Sequence, residues 1–167
     1  MTLKIHKNLA PVRAGVNCFG TGNPKKYVTV HQTGNTTRGA NAKMHAMLQQ
    51  RGFSASWHWQ VDDKEAIQSF SHDYRIYCQG DGYNGIGNNQ AISVEICVNS
   101  DGNYKQAVTN GAELVAKIMK EEGIGIDDVH QHNFFNGKNC PAQICYNPLS
   151  YHRRCHHHYG QNWRRPV

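Results

Sequence analysis

The segment "AISVEICV", residues 91–98, reads as a buried strand. Ile92, Val94, Ile96 and Val98 fall on one face of such a strand, and Ser93, Glu95 and Cys97 share the other. Upstream lies "QGDGYNGIGNNQ" (79–90), a glycine- and asparagine-rich loop. Downstream, "KQAVTNGAELVAKIMKEE" (105–122) places Val108, Ala112, Val115 and Met119 on one helical face, with Gly123 as the stop. Strand, helix and loop recur in this way toward the N-terminus. "KYVTVHQTGN" (26–35) alternates as a strand whose Tyr27, Thr29 and His31 oppose Val28 and Val30, and it ends at Gly34-Asn35. "NAKMHAMLQQRG" (41–52) has Met44, Met47 and Leu48 at helical spacing and a C′ glycine at Gly52. "SWHWQV" (56–61) and "EAIQSF" (65–70) flank the polar "DDK" as a hairpin. Alternating elements of both kinds predict an α/β fold, a single mixed β-sheet flanked by helices.

The chain has 167 residues and 38% hydrophobic content, enough for one domain with a core. No apolar run approaches the ~18 residues of a membrane span. The start, "MTLKIHKNLAPVRAG", has no continuous apolar stretch of the signal-peptide kind, so the chain is expected to be made in the cytoplasm. Six cysteines suit that compartment as thiols or metal ligands, with disulfides the alternative for a secreted protein. Cys97 reads as a small core residue. A net charge of +6 favours a polyanionic partner, whether nucleic acid, anionic lipid or wall polymer.

Chemistry concentrates in few places. Glu95 is a carboxylate in an apolar strand, which is costly unless it is paired or used. Its face is either solvated or paired with a lysine or arginine, or else Glu95 is a general base with a raised pKa. His31 closes its strand at a sheet edge, where a lone histidine is ordinarily structural. The loop "HQHNFFNGKNCP" (130–141) changes those odds. It offers His130 or His132 together with Cys140, a reversal at Gly137 and an ammonium at Lys138. Imidazole and thiolate together suit zinc, and a catalytic zinc takes three protein ligands and leaves a position for water. Spacing alone leaves His130 and His132 equivalent.

In order and spacing, "VTVHQTGN", "SWHWQVDDKE", "GNNQAISVEICVNSDG" and "QHNFFNGKNCP" resemble the blocks of zinc-dependent N-acetylmuramoyl-L-alanine amidases. These are type-2 amidases related to peptidoglycan recognition proteins and common among phage and prophage endolysins. The match spans roughly residues 22 to 141. The resemblance implies a zinc site in a groove at the sheet edge, with His31, His132 and Cys140 as ligands. It also implies Glu95 as catalytic glutamate and Lys138 as the lysine of a "GKxCP" signature. Some members carry a catalytic tyrosine where this chain has Trp57, which leaves more of the acid–base work to Glu95.

The expected reaction is hydrolysis of the amide between the lactyl group of N-acetylmuramic acid and L-alanine in peptidoglycan. A lytic role for a phage or prophage, reaching the wall after membrane opening, would suit it, and a host wall-recycling enzyme would need the same ligands. Trp57 and Trp59 are candidates to line a sugar groove, with one of them alternatively core; Asn35, Thr36 and Arg38 either contact the stem peptide or are solvated turn residues, and His58 either supports the site from behind or is structural. Expected partners are peptidoglycan and, through the basic surface, anionic wall polymers, but not nucleic acid. Residues 1–150 read as the catalytic domain and 151–167 as a basic, histidine-rich tail. Two alternatives compete: a non-catalytic wall-recognition module, which Cys140 disfavours, and a structural zinc site in a nucleic-acid-binding tail built from Cys145, His152, Cys155 and His156 to His158.

Overall fold

The computed structural model describes residues 3–145. Its centre is the predicted strand, here β7 (Ala91–Ile96), which pairs in parallel with β3 (Tyr27–Gln32) on one side and β4 (Trp59–Val61) on the other. Beyond β3 lies the parallel edge strand β8 (Val129–Gln131). Beyond β4 lies β5 (Glu65–Gln68), antiparallel to it through the predicted turn, and then β1 (Lys4–Lys7), parallel to β5. The six strands form one mixed sheet in the order β1-β5-β4-β7-β3-β8. A separate two-stranded sheet joins β2 (Cys18–Thr21) to β6 (Tyr74–Ile76).

Side-chain alternation gives the sheet two different faces. Val28, Val30, Trp59, Val61, Ile92, Val94 and Ile96 form a core with Leu114, Val115 and Ile118 of α3 (Tyr104–Glu122). Burial of that many branched side chains is the main stabilising term, about 1.5–3 kcal/mol for each. The Asn103 side chain caps the start of α3 by accepting the Gln106 N–H. Gly123, at φ +71°, ends it in the left-handed conformation expected of a C-terminal glycine. Against the opposite face packs α1 (Ala42–Gln50), whose Ala42 and Ala46 meet Ile67 and Cys97. Cys97 is thus the small core residue that its setting predicted.

Three features of the elements differ from, or lie beyond, the pattern in the sequence. Of the apolar stripe on α1 only Leu48 packs inward, against the cluster of Trp57 and Phe70: Ala42, His45, Ala46 and Gln49 are buried, while Met44 is 49% exposed and Met47 37%. Small residues face the sheet because the helix lies close to it, and the longer methionines are left outside. The glycine-rich segment 79–90 is not all loop, since it ends in a short helix, α2 (Ile86–Gln90). The Asp81 carboxylate accepts the Gly87 and Asn88 N–H groups and nucleates that turn. Finally β1, β2 and β6 carry no alternation that would announce a strand, and β1 is largely exposed. The cysteine- and histidine-rich tail and its candidate metal site lie outside the described residues, except for the backbone of Cys145.

Candidate metal and catalytic site

The polar face of the sheet gathers its functional groups at the carboxyl ends of β3 and β7. His31 is directly opposite Glu95 in the β3–β7 register, and Glu95 is in turn opposite Gln60 of β4. Residues sharing a face of paired strands are near neighbours, so this register alone sets an imidazole beside a carboxylate. His31 Nδ1 lies 3.9 Å from Glu95 Oε1.

The loop after β8 supplies the remaining donors. The His132 N–H bonds to the Val30 carbonyl at 3.2 Å, which carries the β8 alignment one residue past the strand. A single helical turn, α4 (Asn133–Asn136), then reverses at Gly137 with φ +77°. The Asn133 N–H closes the loop on the Cys140 carbonyl at 3.2 Å. His31, His132 and Cys140 are all buried, and their ligand atoms lie within 4.8 Å of one another. Cys140 Sγ is 3.9 Å from His31 Nδ1, the same nitrogen that faces Glu95. His130 lies outside this cluster, stacked on the Phe134 ring with centroids 3.8 Å apart.

Hydrogen bonding prepares His132 as a ligand. Its Nε2 lies 2.8 Å from the Gln79 carbonyl, which can only accept, so the proton is on Nε2. The lone pair is therefore on Nδ1, a buried atom with no hydrogen-bond partner among the described residues. Burial pushes the His132 pKa down, opposed by the Gln79 carbonyl. Burial holds His31 well below the usual histidine range too, with help from His132 and Lys138. Two neutral imidazoles, with Cys140 giving up its proton to bind as the thiolate, can thus hold a metal ion, because ligation needs unprotonated donors.

Glu95 stands outside the His31–His132–Cys140 set, and with His31 and Cys78 it forms a second group whose ligand atoms lie within 4.8 Å of one another. Burial raises its pKa to about 8, against the opposing charge of Lys138. Its Oε2 is buried and unpartnered among the described residues. No lysine or arginine pairs with it among the described residues, and its other oxygen faces His31. Lys138 is exposed, and its charge depresses the pKa of His31, Glu95 and His132 alike.

A cavity of about 340 Å³ opens from Glu95, lined also by Thr33, Asn35, His45, Leu48, Phe53, Ala55 and Trp57. Trp57 is on this face, its Nε1–H donating to Gln60 Oε1 at 2.7 Å. Trp59 is not. It is 3% exposed and packs in the core against α3, which is the other reading open to one of the two tryptophans. The two tryptophans part because β4 begins only at Trp59 and the strand alternation does not extend back to Trp57. Asn35 lines the cavity, whereas Arg38 lies outside its lining, with its charge acting on Asp101. Thr36 is exposed in the same turn. His58 is structural: Nδ1 accepts the Ser93 N–H at 3.0 Å and Nε2 donates to the Tyr74 carbonyl at 3.1 Å, tying the two sheets together. Burial lowers its pKa to about 3.

The family model for N-acetylmuramoyl-L-alanine amidase matches residues 21–143, which hold every donor just described. The chain belongs to this amidase family. Among its relatives, the N-acetylmuramoyl-L-alanine amidase CwlH of Bacillus subtilis (strain 168) is 40% identical over 141 residues, 84% of this chain and 56% of that protein. CwlA of the same strain is 39% identical, over 86% of this chain and 53% of its own length. The chain thus spans about half the length of these relatives. Among solved structures, a mutant endolysin from Bacillus subtilis superposes with a TM-score of 0.88 at 35% identity, covering 92% of this chain and 99% of that one. The catalytic domain of XlyA gives 0.86 at 34% identity, with the same coverage. This member of the amidase family therefore keeps the mixed-sheet architecture of endolysin catalytic domains.

Sequence reasoning missed two neighbours of the site. Cys78 Sγ lies 3.4 Å from His31 Nε2, and Gln79 receives the His132 proton through its main chain. A backbone carbonyl leaves no trace in residue type, and "RIYCQG" carries no pattern that singles out its cysteine.

Proposed function

We propose that the chain hydrolyses the amide joining the lactyl group of N-acetylmuramic acid to L-alanine in peptidoglycan, with zinc held by His31, His132 and Cys140. The convergence of two neutral imidazoles and a cysteine sulfur beside the Glu95 carboxylate, whose Oε2 has no partner among the described residues, carries this reading. Donors on one tetrahedral zinc, at bonds of about 2.0–2.3 Å, stand roughly 3.5 Å apart, so atoms within 4.8 Å need only small adjustments. When bound, zinc supplies a Lewis acid and brings the pKa of a water from ~15.7 towards ~7.

The protein's own groups do the rest. Glu95 takes the proton of the attacking water and passes it to the leaving amine, as its place beside the donors allows. Lys138 sets an ammonium where negative charge develops on the scissile carbonyl. Trp57 and Asn35 line the cavity that receives the substrate next to Glu95. Among the described residues no helix is long and apolar enough to cross a membrane. The net charge of +6 supports contact with the anionic polymers of the wall.

The test uses purified cell walls and the whole chain. Zinc near one equivalent, release of free amino termini and arrest of that release by a chelator are expected. Tight zinc with no release of amino termini would instead mark a recognition module.

A further inference from the structure

The two histidines of the site are gripped on their far sides by one short stretch of chain. Cys78 Sγ stands 3.4 Å from Nε2 of His31, and the next residue, Gln79, offers its carbonyl to Nε2 of His132 at 2.8 Å. These two residues are pinned in turn by Asn88, whose Oδ1 accepts both the Cys78 N–H at 3.0 Å and the Gln79 N–H at 2.8 Å. Asn88 is 4% exposed and anchors itself through its side-chain amide to the Gly82 carbonyl.

We propose that residues 78 and 79, pinned by Asn88, form a clasp that fixes both imidazoles for the metal, with Cys78 as the positioning residue for His31. The inference rests on the zinc reading above. The two nitrogens of an imidazole point away from each other, and Nδ1 of His31 is the one that faces Cys140 and Glu95. With the metal on Nδ1, a neutral ring must carry its proton on Nε2. The Cys78 sulfur is then the acceptor, and it lies on the wrong side of the ring to share the ion. Hydrogen bonds to the second nitrogen of ligating histidines commonly fix ring and tautomer, and their loss typically costs 10–100-fold in metal affinity. Most such partners are carboxylates or carbonyls. This chain uses a carbonyl for one histidine and a thiol for the other.

The experiment measures zinc affinity by chelator competition on the whole chain, together with cobalt absorption and the imidazole N–H signals in NMR. Wild type, Cys78→Ala, Cys78→Ser, Asn88→Ala and Cys140→Ala are compared. Expected for Cys78→Ala is a 10–100-fold loss of affinity with the thiolate–cobalt band retained, and a displaced or vanished His31 Nε2–H signal. Cys78→Ser, which keeps an acceptor, should recover part of the affinity. Asn88→Ala should weaken zinc through both rings. Wild-type affinity in Cys78→Ala would overturn the proposal, as would a reduced thiolate–cobalt band, which would make Cys78 a ligand. Equal loss in the serine and alanine variants would overturn it as well. Failure of the wild type to bind zinc, or unchanged binding in Cys140→Ala, would sink the site reading instead.

Discussion

Glu95→Gln is the substitution that separates binding from chemistry. It preserves the shape of the side chain and removes its capacity to take a proton. Because Glu95 stands beside the donor cluster without joining the His31–His132–Cys140 set, the variant should retain zinc while turnover on purified walls falls by about 10²-fold or more. Metal content and release of amino termini, measured on the same preparation, check both halves of that statement. At this scale much of the site was legible beforehand. Histidine at a strand end, glutamate inside an apolar strand and cysteine before proline are residue types that ordinary surfaces and cores do not collect. The tie between His130 and His132 was not resolvable by spacing, and family resemblance favoured the second. The geometry agrees in bringing His132 to the cluster and stacking His130 on Phe134. The clasp stayed hidden because half of it is main chain.

Among the elements, β7 and α3 were the clearest in the sequence, since burial on one side imposes a period that survives in residue choice. Leu114→Ala on α3 removes a fully buried side chain from the main core and should cost about 3 kcal/mol of stability. Met44→Ala on α1 tests the corrected orientation of that helix and should change stability by less than about 0.5 kcal/mol. Denaturant unfolding of the two variants checks both figures, and a large loss for Met44→Ala would restore the methionine stripe as the packed face. The buried face of α1 is hard to see in its spacing for a simple reason. Alanines that let a helix approach a sheet closely are less conspicuous than methionines at the same spacing. Short strands such as β1 and β6 are held by pairing partners that are remote in sequence, which no local pattern can reveal.

Across the whole molecule, the two ends of the parallel strands carry different electrostatics. The amino ends hold a network remote from the donor cluster: Trp59 Nε1–H donates to His72 Nε2 at 2.7 Å, and His72 Nδ1 donates to Glu122 Oε1 at 2.7 Å. Lys25 pairs with Glu122 at 3.1 Å and Asp73 at 3.2 Å. Both nitrogens of His72 are committed, so this histidine–glutamate pair braces β4 against the end of α3 instead of offering a base. Burial raises the Glu122 pKa, but hydrogen bonds from His72 and Lys25 together outweigh it and leave the carboxyl below its usual range. A depressed carboxylate stabilises the fold above its unfolded-state pKa, and the benefit fades as pH falls through the folded-state value. Lys25→Met should therefore be modestly less stable than wild type at neutral pH, and the gap should close in acid below the ordinary carboxylate range. Thermal unfolding across pH 3–7 reads this directly. The effect is small because these groups are partly in water.

That division of labour between strand ends has a practical corollary. Lys26 is exposed just before β3, at the end away from the donor cluster. Anchoring the chain to a solid support through a unique handle placed there would leave the cavity pointing outward, towards insoluble material too large to diffuse in.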